Sequence, residues 1–212
     1  MKNRLKEIKS VFKIKKKQPA LVIDYSVPLS INLCCGPQKI PGYLGIDFLQ
    51  GNAEIILDLR YENIPLKDNS VDNLICISSI NYFKYNRAIE IIKDIYRIMK
   101  PGGMVRFAVQ DLKIIAKKYI EKDRDFFFQK LPNGKDRFEG ATMADKMNSW
   151  FYGFEIMGNP CQYVYDYESL EYVFKLAGFR IVEEKKYMES KLKYIELIDN
   201  RPEQMFFLEA IK

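Results

Sequence analysis

The stretch that most constrains this chain is Ile31-Asn32-Leu33-Cys34-Cys35-Gly36, in which an apolar run ends in a turn of small residues. A second apolar run over residues 43–48 then carries an acid, Asp47. In an open α/β sheet a nucleotide-like ligand binds at the loop that leaves the first strand, and an acid on the next strand can accept both hydrogen bonds of a ribose diol. A strand, a turn and an acid also occur in purely structural crossings, so this stretch alone leaves both interpretations open.

The rest of the chain alternates strand-like apolar runs with helical patterns, which predicts a doubly wound α/β sheet. The clearest helix is expected over residues 86–99, where apolar residues recur on one face. Further helices are expected after the capping residues Asp111 and Asp166, and Gly178 is expected to end the second of them. The predicted strands are 30–34, 43–48, 53–59, 71–77, 104–109, 179–182 and 205–211.

Composition limits the class of protein. At 212 residues one domain is the default, and no apolar run is long enough to span a bilayer. No signal-peptide pattern opens the chain, so we expect a cytoplasmic protein. The four cysteines lack Cys-x-x-Cys spacing and there is no histidine, so neither a metal site nor a disulfide framework is expected. Without histidine, any proton transfer must use a carboxylate, a tyrosine, a lysine or water.

The positive charge of the chain is concentrated at its N-terminus. Residues 1–17 hold eight basic residues and one acid, whereas the rest of the chain holds 26 basic and 27 acidic residues. The body is nearly neutral, so no nucleic-acid surface is expected. Residues 1–18 are predicted to form a basic amphipathic arm, because Leu5, Ile8 and Phe12 recur at helical spacing. The arm either packs on the body or makes a peripheral contact with an anionic membrane.

A second segment stands out by its aromatic content. Eleven of the 29 aromatic residues lie between Phe126 and Tyr167. We predict an aromatic-rich insertion around residues 122–165 within a main domain that spans residues 19–212. The insertion is either a lid over a small-molecule site or the plain core of an inserted helical pair.

Five short motifs, taken in order, carry a family resemblance. They are Asn-Leu-Cys-Cys-Gly (32–36), Gly-Tyr-Leu-Gly-Ile-Asp (42–47), Asp-Leu (58–59), Ile-Pro-Leu-Lys-Asp-Asn-Ser-Val-Asp (64–72) and Met-Lys-Pro-Gly-Gly (99–103). Together they resemble the class I S-adenosylmethionine-dependent methyltransferases, and more narrowly the small bacterial group of type 11. The resemblance covers roughly Ile31 to Leu112. It implies a Rossmann-like seven-stranded sheet with the last strand antiparallel and helices on both faces.

The resemblance also implies a cofactor, S-adenosylmethionine, and a set of residues around it. The turn at Leu33, Cys34, Cys35 and Gly36 would lie against the methionine and ribose parts. Asp47 would hold the ribose hydroxyls, and Phe48 would lie along the adenine ring. Asp58 and the Leu59 backbone would bind the adenine edge, and Ser78 would lie near the methionine end.

Three departures from the family pattern bear on function. Cys34 stands where the family usually has the first glycine of the turn, and glycine there lets the backbone approach the ligand without a Cβ. Ser78 and Asn81-Tyr82 stand where relatives often have a histidine and a Glu-His pair. Gln110 replaces a frequent proline but keeps Asp111 at the carboxyl end of the fifth strand.

Methyl transfer from a sulfonium is an in-line displacement that depends mainly on alignment, which can contribute up to ~7–11 kcal/mol. Asp111 is the first candidate to orient or deprotonate the acceptor, and its alternative role is that of a helix cap alone. The candidate acceptor-binding residues are Asn81, Tyr82, Tyr165 and Arg201.

Two functions of different classes follow. The first is a methyltransferase that acts on a small-molecule or glycan-like acceptor. The second is a non-catalytic methyltransferase-fold protein that serves as a binding or partner subunit. A nicotinamide oxidoreductase is disfavoured because no Gly-x-Gly-x-x-Gly follows any strand, and a nucleic-acid methyltransferase because no Asn-Pro-Pro-Tyr-like tetrapeptide is present.

Overall fold

The structure is a computed structural model that describes residues 21–153, 155–156 and 159–212. The predicted basic arm at residues 1–18 therefore lies outside the described residues. The strands are β1 (Ser30–Leu33), β2 (Tyr43–Asp47), β3 (Ile55–Ile56), β4 (Val71–Ile77), β5 (Met99–Gln110), β6 (Glu155–Ile156), β7 (Asn159–Pro160), β8 (Ile181–Lys185) and β9 (Met205–Ile211). The α-helices are α1 (Tyr85–Ile98), α2 (Leu112–Ile120), α3 (Arg124–Phe127), α4 (Met143–Asn148), α5 (Tyr167–Ala177) and α6 (Ile195–Ile198).

Seven strands form one sheet in the order β3-β2-β1-β4-β5-β9-β8. Strands β1 to β5 pair in parallel, whereas β9 is antiparallel to both of its neighbours, β5 and β8. The predicted doubly wound, Rossmann-like sheet with an antiparallel last strand is confirmed. The chain reverses its strand order between β1 and β4, which is the switch point where open α/β sheets bind ligands.

Both faces of the sheet are covered, as the alternation along β4 shows. Leu74 and Cys76 point into the main core with the buried faces of α1 and α5, whereas Ile75 packs with Ile198 of α6 in a second cluster. Successive strand residues point to opposite faces, so these two clusters lie on opposite sides of the sheet.

Some element bounds differ from those predicted. Only two residues of the predicted strand 53–59 pair with β2, and these are Ile55 and Ile56. The sixth predicted strand, 179–182, is displaced to Ile181–Lys185. Apolar composition marked both runs, but strand bounds depend on which backbone groups find a partner, and that is decided by the neighbouring strand.

The helix that precedes β8 begins and ends where local chemistry predicts. The Asp166 carboxylate accepts a hydrogen bond from the Ser169 amide (2.8 Å), and the Ser169 hydroxyl accepts one from the Asp166 amide (3.1 Å), so α5 begins with a capping box. Gly178 ends it with φ +114°, and a Cβ there would lie 3.0 Å from the Tyr96 ring.

A buried ion cluster ties the last strands to the segment between them. The Arg106 guanidinium on β5 is fully buried and donates to both carboxylate oxygens of Asp199, at 2.7 and 2.5 Å. It also donates to Glu209 Oε1 on β9 at 2.8 Å and to the Glu189 carbonyl at 3.1 Å. A buried cation needs such partners, so this cluster fixes residues 186–199 over one face of the sheet.

The segment over residues 122–165 has a small core of its own. Phe126, Phe127, Phe138 and Trp150 pack with Ile115 of α2 in a cluster apart from the main one. Helix α4 is followed by a π-helical turn at Ser149–Gly153 and by the β6–β7 hairpin. In the described ranges, no helix combines the length and apolar character that crossing a bilayer requires.

Candidate functional site

A cleft of about 540 Å³ opens at the carboxyl ends of β1 and β2, beside the start of the loop after β4. Its lining comes from five segments of the chain and is mainly apolar. The lining residues are Cys34, Ile46, Asp47, Phe48, Leu57, Asp58, Leu59, Arg60, Ser79, Tyr82, Phe83 and Asn159.

Asp47 is the charged group on the floor of the cleft. Its side chain is only 6% exposed, and its two oxygens accept hydrogen bonds from the amides of Gly36 and Leu49, both at 2.9 Å. These bonds fix the carboxylate at the end of β2. An ionised carboxylate offers about four acceptor positions. Each oxygen therefore keeps capacity for a further donor, such as one hydroxyl of a ribose.

The turn after β1 takes a backbone conformation that favours glycine. Cys34 has φ 55° and Gly36 has φ 54°. The left-handed conformation costs a residue with a Cβ roughly 1–2 kcal/mol. The Cys34 side chain lines the cleft, and its contact with Cys76, together with burial, raises the pKa of the Cys34 thiol well above its usual value. The thiol is therefore uncharged at neutral pH.

The opposite wall of the cleft carries an arginine that the sequence did not single out. The Arg60 guanidinium lies 5.4 Å from the centre of the Phe48 ring. It donates to both oxygens of Asp58, at 2.8 and 2.6 Å, and to the amide oxygen of Asn159. The hydrogen bond with Asp58 raises the pKa of Arg60. Arg60 thus joins the predicted adenine-contacting residues to the β6–β7 hairpin.

The structure brings together five of the nine predicted cofactor residues in the cleft lining, and these are Cys34, Asp47, Phe48, Asp58 and Leu59. The other four, Leu33, Cys35, Gly36 and Ser78, are outside that lining. Leu33 is fully buried in the core. Cys35 is buried too, which raises the pKa of its thiol to about 11.

Ser78 and Gly36 lie next to the cleft lining. Gly36 contacts the site through its amide, which donates to Asp47. Ser78 has φ 60°, and its hydroxyl accepts a hydrogen bond from the Gln110 side chain at 2.6 Å. Its neighbour Ser79 lines the cleft in its place. A left-handed residue redirects the chain, and no sequence signal marked that turn.

Comparison with known proteins identifies this part of the chain. Residues 32–107, from β1 into β5, match the family model described as a methyltransferase domain, of type 11. Over these residues the chain is similar to the type 11 methyltransferases. The predicted family and the predicted cofactor, S-adenosylmethionine, are confirmed by this match. The match ends before Gln110 and Asp111.

Solved structures share the fold at low sequence identity. One match is in the complex between the Haloferax volcanii Trm112 methyltransferase activator and a methyltransferase (13% identity, TM-score 0.50, 87% of this chain and 81% of that chain). Another is the PH0226 protein from Pyrococcus horikoshii OT3 (15% identity, TM-score 0.50, 99% of this chain and 90% of that chain). No curated protein matches the sequence.

A second, smaller cavity adjoins the cleft. Tyr82 lines both spaces. The second cavity is lined by Asn81, Tyr82, Gln110, Trp150, Cys161, Tyr163 and Val164. Two of the predicted acceptor residues, Asn81 and Tyr82, lie here. Burial raises the pKa of the Tyr82 phenol, so its hydroxyl is un-ionised at neutral pH.

The other predicted acceptor residues and the catalytic candidate lie around this cavity but do not line it. Tyr165 is fully buried, and burial raises the pKa of its phenol. Arg201 is exposed, and its Nε donates to the Asn200 side chain at 2.8 Å. Asp111 caps α2 by accepting a hydrogen bond from the Lys113 amide at 2.8 Å, and burial raises the pKa of its carboxyl.

Proposed function

We propose that this chain is an S-adenosylmethionine-dependent methyltransferase that methylates a small-molecule or glycan-like acceptor. The observation that carries the proposal is the buried Asp47 carboxylate, which the Gly36 and Leu49 amides hold at the floor of the cleft. This is where the ribose of a nucleoside-like cofactor finds a bidentate acceptor in an open α/β sheet.

The rest of the cleft would hold the cofactor around that contact. The adenine would lie along Phe48, with its edge at Asp58 and the Leu59 backbone. The methionine end would then reach the Cys34 turn and Ser79, toward Tyr82 and the second cavity. Because Arg60 lies over Phe48, its side chain would have to stack on the adenine or move aside when the cofactor binds.

Alignment of the acceptor with the methyl carbon would supply most of the catalysis, because the sulfonium is already an activated leaving group. The second cavity is the proposed acceptor site, since it shares Tyr82 with the cleft. We assign Asp111 the role of orienting the acceptor or taking up its proton. A carboxyl whose pKa is raised by burial is a stronger base than an exposed one.

We also propose a cytoplasmic location. No disulfide joins the four cysteines, all of which lie in the described part of the chain. Free thiols are typical of proteins kept in a reducing compartment.

The test of the cofactor site is calorimetric titration with S-adenosylmethionine and S-adenosylhomocysteine. We expect binding by the native chain and a ~10–100-fold weaker affinity for Asp47→Ala, because the variant loses hydrogen bonds to a charged group worth ~1.5–3 kcal/mol. Asp68→Ala is the matched control, since Asp68 is exposed and pairs with Arg97.

Either outcome of the titration decides between the two functions. Binding that is lost in Asp47→Ala and kept in Asp68→Ala supports the enzyme. Absence of binding by the folded native chain would overturn it and favour the non-catalytic partner subunit.

The basic arm is proposed to make a peripheral contact with anionic membrane surfaces. Residues 1–17 carry eight basic side chains, and each basic residue near an anionic surface contributes about 1 kcal/mol of attraction. We expect deletion of residues 1–17 to abolish co-sedimentation with phosphatidylserine vesicles, with vesicles of neutral lipid as control. Equal sedimentation of both chains would remove the membrane contact.

A further inference from the structure

The second cavity contains polar atoms whose hydrogen-bonding capacity is unused. Within the described part of the chain, Asn81 Oδ1 and Gln110 Oε1 are buried without a hydrogen-bond partner. Asn81 is only 5% exposed. An unpaired buried acceptor costs ~1–3 kcal/mol. Two such atoms in the lining of one cavity therefore point to a ligand that donates hydrogen bonds to them.

The other ends of the same two amides are already engaged. Gln110 Nε2 donates to the Ser78 hydroxyl at 2.6 Å, and Asn81 Nδ2 donates to the Cys161 sulfur at 3.5 Å. Both amides are therefore oriented with the nitrogen bonded to protein and the oxygen available. Both residues line the cavity.

The number of acceptors distinguishes between classes of ligand. An amine nitrogen carries two N–H donors and a lone pair, whereas a hydroxyl carries a single O–H. A hydroxyl could satisfy one of the two amide oxygens and would leave the other unpaired. A site that forms hydrogen bonds with a substrate group binds an analogue lacking that group much more weakly, because a buried protein atom is then left without a hydrogen bond.

The approach to the cavity also suits an amine. Tyr163 lines the cavity and an adjacent surface groove. That groove carries three acids, one lysine and two further tyrosines, and these are Asp166, Glu168, Glu171, Lys175, Tyr85 and Tyr172. Acidic and aromatic side chains both attract a protonated amine before it is buried.

We propose that the methyl acceptor is a primary amine, with Asn81 Oδ1 and Gln110 Oε1 accepting its two N–H bonds. This assignment rests on the proposed function. The bonds leave the nitrogen lone pair free for the methyl carbon. As the N–C bond forms, the C–S bond breaks, and its electron pair stays on sulfur to give the thioether. Before it enters the cavity, the protonated amine gives one proton to water in the surface groove beside Tyr163 and Asp166, and after the transfer the methylated product leaves as an ammonium.

The test uses the smallest probes of each class on the full chain loaded with S-adenosylhomocysteine. Methylamine, methanol and tetramethylammonium are titrated separately, and the side-chain NH₂ signals of Asn81 and Gln110 are followed by NMR. The Asn81→Ala and Gln110→Ala spectra assign the signals. Tetramethylammonium carries the positive charge without an N–H donor, so it separates hydrogen bonding from electrostatic attraction.

We expect methylamine to shift both signals saturably and to bind at least ~5-fold more tightly than methanol, which corresponds to one net hydrogen bond of ~1 kcal/mol. Asn81→Ala and Gln110→Ala should each weaken methylamine binding by a similar factor. Gln162→Ala is the matched control and should leave methylamine affinity unchanged. Gln162 is an exposed amide that lines a different surface groove, beside Cys161 and Val164.

Three results would overturn the assignment. They are equal shifts with methanol or tetramethylammonium, no shift with methylamine, and unchanged methylamine affinity in both alanine variants. Repeating the titrations without S-adenosylhomocysteine separates the two proposals. If the chain fails to bind the cofactor product, the proposed function fails, and the preference between probes still reports on the cavity.

Discussion

The backbone angle φ of Cys34 affects both the stability of the fold and the room in the cleft. Its φ of 55° is a conformation that glycine adopts freely and that cysteine adopts at a cost. The same residue lines the cleft. The Cβ of Cys34 causes both the backbone strain and the narrowing of the cleft. Replacing Cys34 by glycine would therefore relieve both.

Cys34→Gly should therefore stabilise the fold and improve cofactor binding. Relief of ~1–2 kcal/mol of strain exceeds the ~0.5–1 kcal/mol of backbone entropy that glycine loses on folding, so we expect a net gain of up to ~1 kcal/mol. Urea unfolding measures the gain, and calorimetry with S-adenosylhomocysteine measures the affinity. Asn69→Gly, at φ 51° in a remote turn, should leave the affinity unchanged. Weaker binding by Cys34→Gly would show that the sulfur contributes to the site.

Two helix-capping aspartates should respond oppositely to pH. Burial raises the pKa of Asp111, so its contribution to stability is present in acid and is lost as the pH rises through the raised value. The Ser169 amide lowers the pKa of Asp166, so its contribution is present above the usual aspartate pKa and is lost as the pH falls through the lowered value.

The prediction is tested with Asp111→Asn and Asp166→Asn, because asparagine keeps the cap and removes the charge. Relative to the native chain, Asp111→Asn should gain stability from acid toward neutral pH. Asp166→Asn should lose stability over the same range. Urea unfolding across the acid range measures both, and parallel pH dependences in the two variants would contradict the assignment.

At the scale of elements, periodicity in the sequence was sufficient wherever an element has one buried face. Helix α1 and strand β9 were predicted almost to the residue, because their apolar residues recur with the period of the structure. Strand β3 and the β6–β7 hairpin could not be bounded in this way. Two-residue strands exist only through their pairing, which the local sequence does not encode.

The candidate site also contains residues that the sequence could predict and residues that it could not. Asp47 was predictable because an acid at the end of a strand lies at the sheet edge where ligands bind. Arg60, Gln110 and Asn159 were not, because each acquires its role from residues distant in sequence. In the sequence, Arg60 is marked only by its position two residues after Asp58, and Gln110 only by standing where relatives have proline.

The end of α5 gives a test at this scale. Gly178→Ala should destabilise the protein by at least ~1 kcal/mol, because φ +114° strains any residue with a Cβ and the new methyl would lie 3.0 Å from the Tyr96 ring. The midpoint of urea unfolding measures the effect. Gly51→Ala is the control, since a methyl group added at Gly51 would meet no atom within 4 Å. Equal effects of the two substitutions would contradict this account of the cap.

Across the whole molecule, the sheet positions ligand-binding residues from both halves of the chain. The cleft is built from the end of β2, from residues that follow β1 to β4 and from Asn159 of β7, and the second cavity adds residues from β5 and from the segment after α4. The Gln204 carbonyl just before β9 accepts the Asp111 amide at 2.9 Å. Correct placement of the second cavity therefore depends on how the last strands are held.

The buried ion cluster at Arg106 provides that hold. Arg106→Met would leave Asp199 and Glu209 buried without their cation, and we expect a loss of ~3–5 kcal/mol in the free energy of unfolding. Urea unfolding measures it. Arg180→Met, at an exposed position, should change stability by less than ~0.5 kcal/mol. A loss below ~1 kcal/mol for Arg106→Met would mean that the two carboxylates find other partners.

The left-handed turn at Cys34 has a genetic consequence. Both cysteine codons become glycine codons by one base change in the first position. A library of single-base variants of this gene therefore contains the unstrained turn. Selection for tighter cofactor retention could recover that turn without design, and its rate of recovery would measure how strongly the strained turn limits the protein in a living cell.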